Sequence, residues 1–264
     1  MKAPRVLILS DSPLIAEVLW SRASARFPGA HCQHVAATAR AAELLASQAV
    51  DIFVLQLEMF DGDSLDLLRQ SRSCRMRTLV ISGCAAPRVA LSLRALSVEA
   101  VHDFRRESFA KLDDAFDALG CGRRHWSASF NECLFSGEAR KIRHQLAPRE
   151  QMTFALLATG LGEKSLADHL GVTLSSARSL SRDLHARLEA HDRRDIERLG
   201  ARLGYTRFGA DGLQPFGLSV LIDEYRAQSR RPAPLPAMIL SLCGMKAEGG
   251  LSLTPHAPPG KSPD

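Results

Sequence analysis

Arg5-Val6-Leu7-Ile8-Leu9 and Ile52-Phe53-Val54-Leu55-Gln56-Leu57 are short runs of apolar and β-branched residues, and each is followed by a stretch with helical spacing. Runs of this length between helical patterns are typical of buried strands in a parallel sheet. The strands are predicted at residues 5–9, 31–35, 52–57, 78–82 and 100–104. The helices are predicted at residues 13–27, 38–47, 64–72, 87–96 and 109–119. This alternation over residues 1–120 predicts one doubly wound, flavodoxin-like α/β domain with a five-stranded parallel sheet.

The second half of the chain has a purely helical pattern. Pro148 suits the first turn of a helix that runs to Thr159, and Gly160 suits its end. Further helices are predicted at residues 164–170, 174–191 and 194–203. We therefore expect an all-α four-helix domain over residues 146–208.

The segments around this helical domain have a different character. Residues 121–145 contain Gly and Ser without a clear period, and we expect them to form a linker. Residues 209–264 are Gly- and Pro-rich and are expected to be a C-terminal extension that is largely disordered from about residue 246. An apolar patch at residues 237–245 is expected to fold back onto the rest of the chain.

Composition excludes several classes of protein. The chain has 264 residues, of which 45% are hydrophobic and 24% charged, and this balance excludes a fibre or a wholly disordered chain. Its apolar runs fall far short of the roughly 18–20 residues that a membrane helix needs, so no membrane partner is expected. The first apolar run is too short for a signal-peptide core, which favours a cytoplasmic protein. The six cysteines form no C-x-x-C pair, as expected for reduced thiols.

The positive charge is concentrated in the helical half. The net charge is +5, and residues 1–120 contain 14 Lys and Arg against 14 Asp and Glu. Residues 140–207 contain 13 Lys and Arg against 8 Asp and Glu, which accounts for the whole excess. A basic module beside a neutral one indicates a polyanionic partner, for which nucleic acid is the commonest choice. A basic surface that is merely solvated is the alternative.

The short helix, the turn at Gly171-Val172 and the longer helix have the arrangement of a helix-turn-helix. At 100° per residue, one stripe of the longer helix is apolar and is expected to face the core. This stripe consists of Ala177, Leu180, Leu184 and Leu188, and it is expected to meet Leu156, Leu157, Leu166 and Leu170. The opposite face carries Ser175, Arg178, Ser179 and Arg182 at steps of three and four residues. A major groove admits one such helix, and arginine offers a bidentate fork to guanine there.

Three sequence segments together closely resemble the DNA-binding domain of LuxR/FixJ-type (NarL-type) response regulators over about 60 residues. They are Leu146-Ala147-Pro148-Arg149-Glu150, Leu156-Leu157-Ala158-Thr159-Gly160-Leu161 and Lys164-Ser165-Leu166-Ala167-Asp168-His169-Leu170-Gly171-Val172-Thr173. The resemblance implies a module whose third helix enters the major groove and whose fourth helps it to dimerise. By the same resemblance, Arg178, Ser179 and Arg182 would contact bases, and Lys164, Ser175, Ser176 and Arg187 would contact phosphates. The usual Thr-Val-Lys opening of the third helix is replaced by Ser176-Ala177-Arg178.

Modules of this family are commonly joined to a phosphorylatable receiver domain, and residues 1–120 resemble one. In a receiver, an Asp at the end of the third strand attacks phosphorus, and an acidic pair after the first strand holds Mg²⁺. A hydroxyl residue after strand four and a Lys after strand five complete the pocket. The matching positions in this chain are Ser10 and Asp11, Gln56, Ser82 and Arg105.

This pocket is degenerate, because the Gln56 amide at the position of the phosphoacceptor aspartate cannot form an acyl phosphate. The nearby Glu58 lies two residues further along the strand and is expected to be displaced from the pocket. We therefore expect a pseudo-receiver whose output does not depend on aspartyl phosphate. His31-Cys32-Gln33-His34 divides its ligands between two strand faces, so no metal site is expected. There is no G-x-S-x-G elbow and no phosphate loop, and we expect neither an enzyme nor a cofactor.

These observations predict a transcription regulator that binds promoter DNA as a homodimer. Two alternatives remain. The chain could be an interaction protein that titrates another regulator through its receiver-like domain, or the receiver pocket could bind a small ligand such as a nucleotide or metabolite.

Overall fold

Six parallel strands form the central sheet of this computed structural model. The structure describes residues 3–228 and 235–243, without the side chains of residues 142 and 143. Their order across the sheet is β2-β1-β3-β4-β5-β6. The strands are β1 (Arg5–Leu9), β2 (His31–Val35), β3 (Ile52–Gln56), β4 (Arg77–Ser82), β5 (Ala100–Asp103) and β6 (His125–Trp126). The predicted receiver-like α/β fold is therefore confirmed, and the first five strands lie within one residue of their predicted bounds.

Helices cover both faces of the sheet. They are α1 (Pro13–Arg26), α2 (Thr38–Ser47), α3 (Ser64–Gln70), α4 (Pro87–Ala95), α5 (Phe109–Gly120), α6 (Ala128–Phe135) and α7 (Gly137–Gln145), and a single 3₁₀ turn spans Ser71–Ser73. Alternate strand residues feed the two cores, as a parallel sheet buried on both faces requires. Val54 packs on one side with α1 and α5, whereas Phe53 and Leu55 pack on the other with α2, α3 and α4.

The predicted five-stranded sheet is wrong by one strand, and the segment expected to be a linker is ordered. His125 and Trp126 pair in parallel with Ala100 and Val101 at the edge of the sheet. A strand of two residues is too short to produce a periodic signal, so the sequence pattern does not reveal it. Behind it, α6 buries Phe130 in the same core as α4.

A hydroxyl network fixes this added edge. The Ser127 hydroxyl accepts a hydrogen bond from the Asp103 amide at 2.7 Å and donates to a Glu107 carboxylate oxygen at 2.5 Å. The Ser129 hydroxyl donates to the Asp103 carboxylate at 2.6 Å. Because these groups are largely buried, their mutual bonds avoid the cost of unsatisfied polar atoms.

The four helices predicted for residues 146–208 are present, and two further helices follow them in the C-terminal part of the chain. Its helices are α8 (Pro148–Leu157), α9 (Glu163–Leu170), α10 (Leu174–Arg187), α11 (Arg193–Leu203), α12 (Leu218–Gln228) and α13 (Ala237–Leu242). An antiparallel hairpin of β7 (Thr206–Gly209) and β8 (Gly212–Pro215) separates α11 from α12. The Gly-rich segment after residue 209 thus contributes β8, α12 and α13, and Leu221 and Ile222 of α12 fill the core of the helical part.

The two parts are joined by buried contacts. Helix α12 packs against α3 on one side and α8 on the other. The Arg88 guanidinium of α4 donates to both carboxylate oxygens of Glu224 on α12, at 3.0 and 3.2 Å. The Gly217 amide donates to the Asp63 carboxylate at 2.7 Å. The C-terminal part therefore rests directly on the α3–α4 side of the sheet.

Helix α13 packs against α9 and buries Ile239 and Leu240, so the described residues of the apolar patch do fold back onto the chain. The tail expected to be disordered from about residue 246 lies outside the described residues. Within the described part of the chain, no helix has both the length and the apolar character that a membrane crossing requires.

Candidate functional site

Helices α9 and α10 form the helix-turn-helix that the sequence predicts. Gly171 ends α9 in the left-handed region at φ +61°, a conformation that a side chain would strain. Thr173 then caps α10, because its hydroxyl accepts a hydrogen bond from the Ser176 amide at 3.2 Å. The turn therefore fixes the start of α10 through local interactions alone.

The inward face of α10 holds it on the module. Ala177 is completely buried and Leu184 is 2% exposed, whereas Leu180 and Leu188 are half-buried. All four pack in one cluster that also contains the predicted partners Leu156, Leu157, Leu166 and Leu170. The predicted apolar stripe is therefore found where the sequence places it.

The outward face of α10 is open to solvent. Ser175, Arg178, Ser179 and Arg182 are all exposed. The phosphate-contact candidates Ser176 and Lys164 are exposed too. A polar helix face with two arginines offers hydrogen-bond donors of the kind that a major groove accepts.

Arg178 has an internal partner. Its Nε atom donates to a Glu163 carboxylate oxygen at 2.9 Å, and both side chains are about half exposed. An exposed ion pair of this kind contributes little to stability, so Glu163 can be exchanged for another acceptor at small cost. Arg178 is thus paired with α9 but remains available to an external ligand.

Arg187, by contrast, is used within the fold. Its guanidinium donates to a Glu150 carboxylate oxygen at 2.7 Å and to the Gln145 carbonyl oxygen at 3.4 Å. Glu150 also accepts from the Ala147 amide at 2.9 Å and so caps the start of α8. The Pro148-Arg149-Glu150 motif therefore has a structural role here, and Arg187 is the weakest of the phosphate-contact candidates.

The second predicted site lies where β1, β3 and β4 end. The Ser10 hydroxyl donates to the Gln56 amide oxygen at 2.7 Å, and both side chains are buried. The Gln56 amide nitrogen donates to the Glu58 carbonyl oxygen at 3.2 Å. The structure thus brings Ser10 and Gln56 together as expected, and the Gln56 amide oxygen already has a donor.

Glu58 lies inside this pocket, although the sequence analysis expects it to be displaced. Its carboxylate accepts hydrogen bonds from the Ser82 hydroxyl and, at 3.3 Å, from the Gly83 amide. Burial raises the pKa of the Glu58 carboxyl above its ordinary value, and the bonds from Ser82 and Gly83 oppose that rise. No local pattern signals this position, because β3 ends at Gln56 and the donors to Glu58 lie 24 and 25 residues further along the chain.

The other two pocket residues lie at its margin. The exposed Asp11 accepts a hydrogen bond from the Phe60 amide at 2.9 Å, which ties the β1 loop to the β3 loop. Arg105 is exposed, and its side chain lies over Gly83, where an added Cβ would come within 2.8 Å of its Nε atom. The pocket therefore retains a positive charge at its rim.

The His31–His34 run does not assemble a metal site. The His34 Nε2 atom bonds to the Ser10 carbonyl oxygen at 2.9 Å, and His31 points to solvent. Over residues 3–228 and 235–243, no three His, Cys, Asp or Glu side chains cluster closely enough to hold a metal ion.

A cavity of about 590 Å³ lies between α2, α3 and the β7–β8 hairpin, away from both predicted sites. It is lined by the carboxylates of Asp61, Asp63, Asp66 and Asp211, together with Arg207. This cavity falls where the two parts of the chain meet. Its size is within the range of small-molecule sites.

Comparisons with known proteins support the fold. No protein-family model matches this chain, and no curated protein matches it. The solved structure of RcsB from Salmonella enterica serovar Typhimurium bound to promoter P1flhDC with phosphomimetic BeF₃⁻ is similar, with TM-score 0.52 and 16% identity. The match covers 75% of this chain and 97% of that chain. RcsB bound to promoter rprA is similar at TM-score 0.51 and 17% identity, covering 74% and 97%. This likeness spans an α/β layer and a helical part.

Proposed function

We propose that this chain is a DNA-binding transcription regulator whose α10 enters the major groove of promoter DNA. Arg178, Ser179 and Arg182 contact bases, and Lys164, Ser175 and Ser176 contact phosphates, with Arg187 in a minor role. The observation that carries the proposal is the exposed polar face of α10, presented by a helix whose opposite face is locked in the core.

Charge and architecture support the same function. The excess of five positive charges falls in residues 140–207, which include this module. Two solved structures with a similar fold are of RcsB bound to promoter DNA. A helix-turn-helix within a segment of net positive charge is the combination expected of a DNA-binding protein.

The proposed domains and their boundaries are those that the sequence predicts. Residues 1–120 form the receiver-like domain, residues 146–208 form the DNA-binding domain, and two chains bind paired half-sites as a homodimer. Residues 121–145 join the two domains, and α6 and α7 within them pack against α4. The described residues after 209 connect the domains through α12.

Selection from a pool of duplexes with randomised centres tests the proposal without knowledge of the promoter. We expect full-length protein to enrich a defined sequence. Its affinity for that duplex should fall steeply as salt rises, because a protein that touches several phosphates displaces their counterions. Enrichment of no sequence, together with affinity that is insensitive to salt, contradicts the proposal and favours the interaction-protein alternative.

We also propose that output does not depend on aspartyl phosphate. Gln56 supports this proposal, because an amide stands at the matching position and its oxygen already accepts from Ser10. Incubation with a small phosphodonor, followed by intact-mass measurement, should show no stable addition of phosphate. Incorporation that is lost on mutation of Asp11, Glu58 or Asp61 contradicts this part of the proposal.

A further inference from the structure

The carboxyl ends of β3 and β4 present several hydrogen-bond donors to one carboxylate. The Ser82 hydroxyl and the Gly83 amide both donate to Glu58, through different carboxylate oxygens. The Ser82 oxygen in turn accepts from the Cys84 amide at 3.1 Å, so the first turn after β4 is organised around this acidic group. Arg105 lies over the same turn.

A cluster of this kind is an anion site by its chemistry. A hydroxyl and a backbone amide that converge on one carboxylate stabilise its negative charge, as such donors do in anion-binding turns. Ser82 is completely buried, so bulk water cannot replace Glu58 as the acceptor of its hydroxyl hydrogen bond. If Glu58 were removed, these donors would lose their acceptor, which is costly for buried groups.

We propose that the ends of β3 and β4 form a binding site for a small oxyanion, and that the chain fills this site with its own Glu58 carboxylate. While Glu58 is in place, an external phosphate or carboxylate is excluded from the Ser82 and Gly83 donors. The turn after β4 is therefore held in its anion-bound arrangement without any phosphodonor. This inference concerns the receiver-like layer and does not depend on DNA binding by α10.

The filled site adjoins contacts between the two parts of the chain. Next to Glu58, the Met59 carbonyl oxygen accepts from Arg207 at 2.8 Å. At the start of α4, Gly204 approaches so closely that an added Cβ would lie 2.8 Å from both Ala86 and Val89. Loss of the Glu58 bonds therefore loosens both segments against which the C-terminal part rests.

Chemical rescue tests the site directly. Glu58→Ala removes the carboxylate and leaves space for a small anion in the full-length protein. We expect formate, and separately inorganic phosphate, to raise the melting temperature of this variant saturably, by about 3–6 °C at tenfold excess over the dissociation constant. The wild type should gain no more than it gains from chloride at equal ionic strength. The double variant Glu58→Ala/Ser82→Ala should lose the formate effect.

Glu99→Ala is the matched control. Glu99 is also a half-buried glutamate that accepts a backbone amide, from Thr78 at 2.9 Å, but it lies at the opposite end of β4. General stabilisation by salt acts equally on both variants. The proposal is overturned if formate and phosphate stabilise Glu58→Ala no more than Glu99→Ala, or if they stabilise the wild type equally. A response to phosphate but not to formate restricts the site to larger oxyanions and overturns its occupation by a simple carboxylate.

If Glu58→Ala does not fold, the isosteric Glu58→Gln decides the question by hydrogen exchange. The neutral amide still fills the space but makes weaker hydrogen bonds, so the Gly83 amide should exchange about tenfold faster than in the wild type. The Thr78 amide, bound to Glu99, should be unchanged. Equal Gly83 exchange in the two proteins contradicts an ionised Glu58 at this site.

Discussion

Asp63 offers a test of how the two parts of the chain are joined. Its Oδ1 atom caps α3 by accepting from the Leu65 amide at 2.9 Å, and its Oδ2 atom accepts from the Gly217 amide at 2.7 Å. Burial raises the pKa of the Asp63 carboxyl from 3.8 to about 6, although the Gly217 bond and the Arg207 charge oppose the rise. The folded protein therefore binds a proton at Asp63 more tightly than the unfolded chain does.

The sign and size of the effect follow from this difference. The stability contributed by a group whose pKa is raised on folding is fully present at pH values below the pKa of the group in the unfolded chain. It is lost as pH rises through the pKa of the group in the folded protein. The pKa difference corresponds to at most about 3 kcal/mol of unfolding free energy, of which about 2 kcal/mol falls between pH 4.5 and 7. Residual contact of Asp63 with solvent makes this an upper figure.

Asp63→Asn removes the titration and keeps a side chain that can cap α3. We expect the stability of this variant, relative to the wild type, to increase by up to about 2 kcal/mol between pH 4.5 and 7. Urea unfolding at several pH values measures the difference, and Asp192→Asn provides the matched control, because Asp192 is an exposed cap of α11. Parallel pH profiles for wild type and Asp63→Asn would refute the assignment.

Three further predictions concern individual contacts. Glu224→Gln leaves the buried Arg88 guanidinium without its counter-charge and should lower the unfolding free energy by about 2–3 kcal/mol. This is the low end for a buried pair, because Glu224 is 26% exposed. The reasoning is contradicted if an apolar Arg88→Met/Glu224→Leu variant is no more stable than Glu224→Gln in urea unfolding. Glu163→Gln frees Arg178 and removes a negative charge from the DNA-facing side, so affinity for the selected duplex should rise. An unchanged or larger Kd in a titration counts against the proposed DNA-binding face. Lys164→Ala should weaken binding to all duplexes alike and reduce the slope of log affinity against log salt concentration by about one. A change in sequence preference would instead show that Lys164 contacts a base.

Most of the α/β layer can be predicted from the sequence because its strands are continuous apolar runs. Runs such as Arg5–Leu9 are buried on both faces, and helical patterns separate them, so local pattern and tertiary structure agree. The same holds for α10, where the spacing of Ala177 and Leu184 specifies the buried face.

What the sequence pattern misses depends on contacts between distant residues. Strand β6 has two residues and exists because β5 offers it an edge and Ser127 bonds to Asp103 and Glu107. The role of Glu58 depends on Ser82, 24 residues away, which no local period reports. Arg187 looks free in sequence, yet Glu150 of another helix binds it.

A crosslinking measurement tests the central claim most directly. Ser179, at the middle of the outward face of α10, is replaced with a photoreactive benzoylphenylalanine, and the protein is irradiated on the duplex that selection identifies. We predict crosslinks to bases in the major groove, which the double variant Arg178→Ala/Arg182→Ala weakens and the charge-matched Arg123→Ala/Arg124→Ala does not. The same photoreactive residue at the exposed Glu132 of α6 should give no crosslink. Crosslinking at Glu132 but not at Ser179 would contradict the assignment of α10 as the helix that reads DNA.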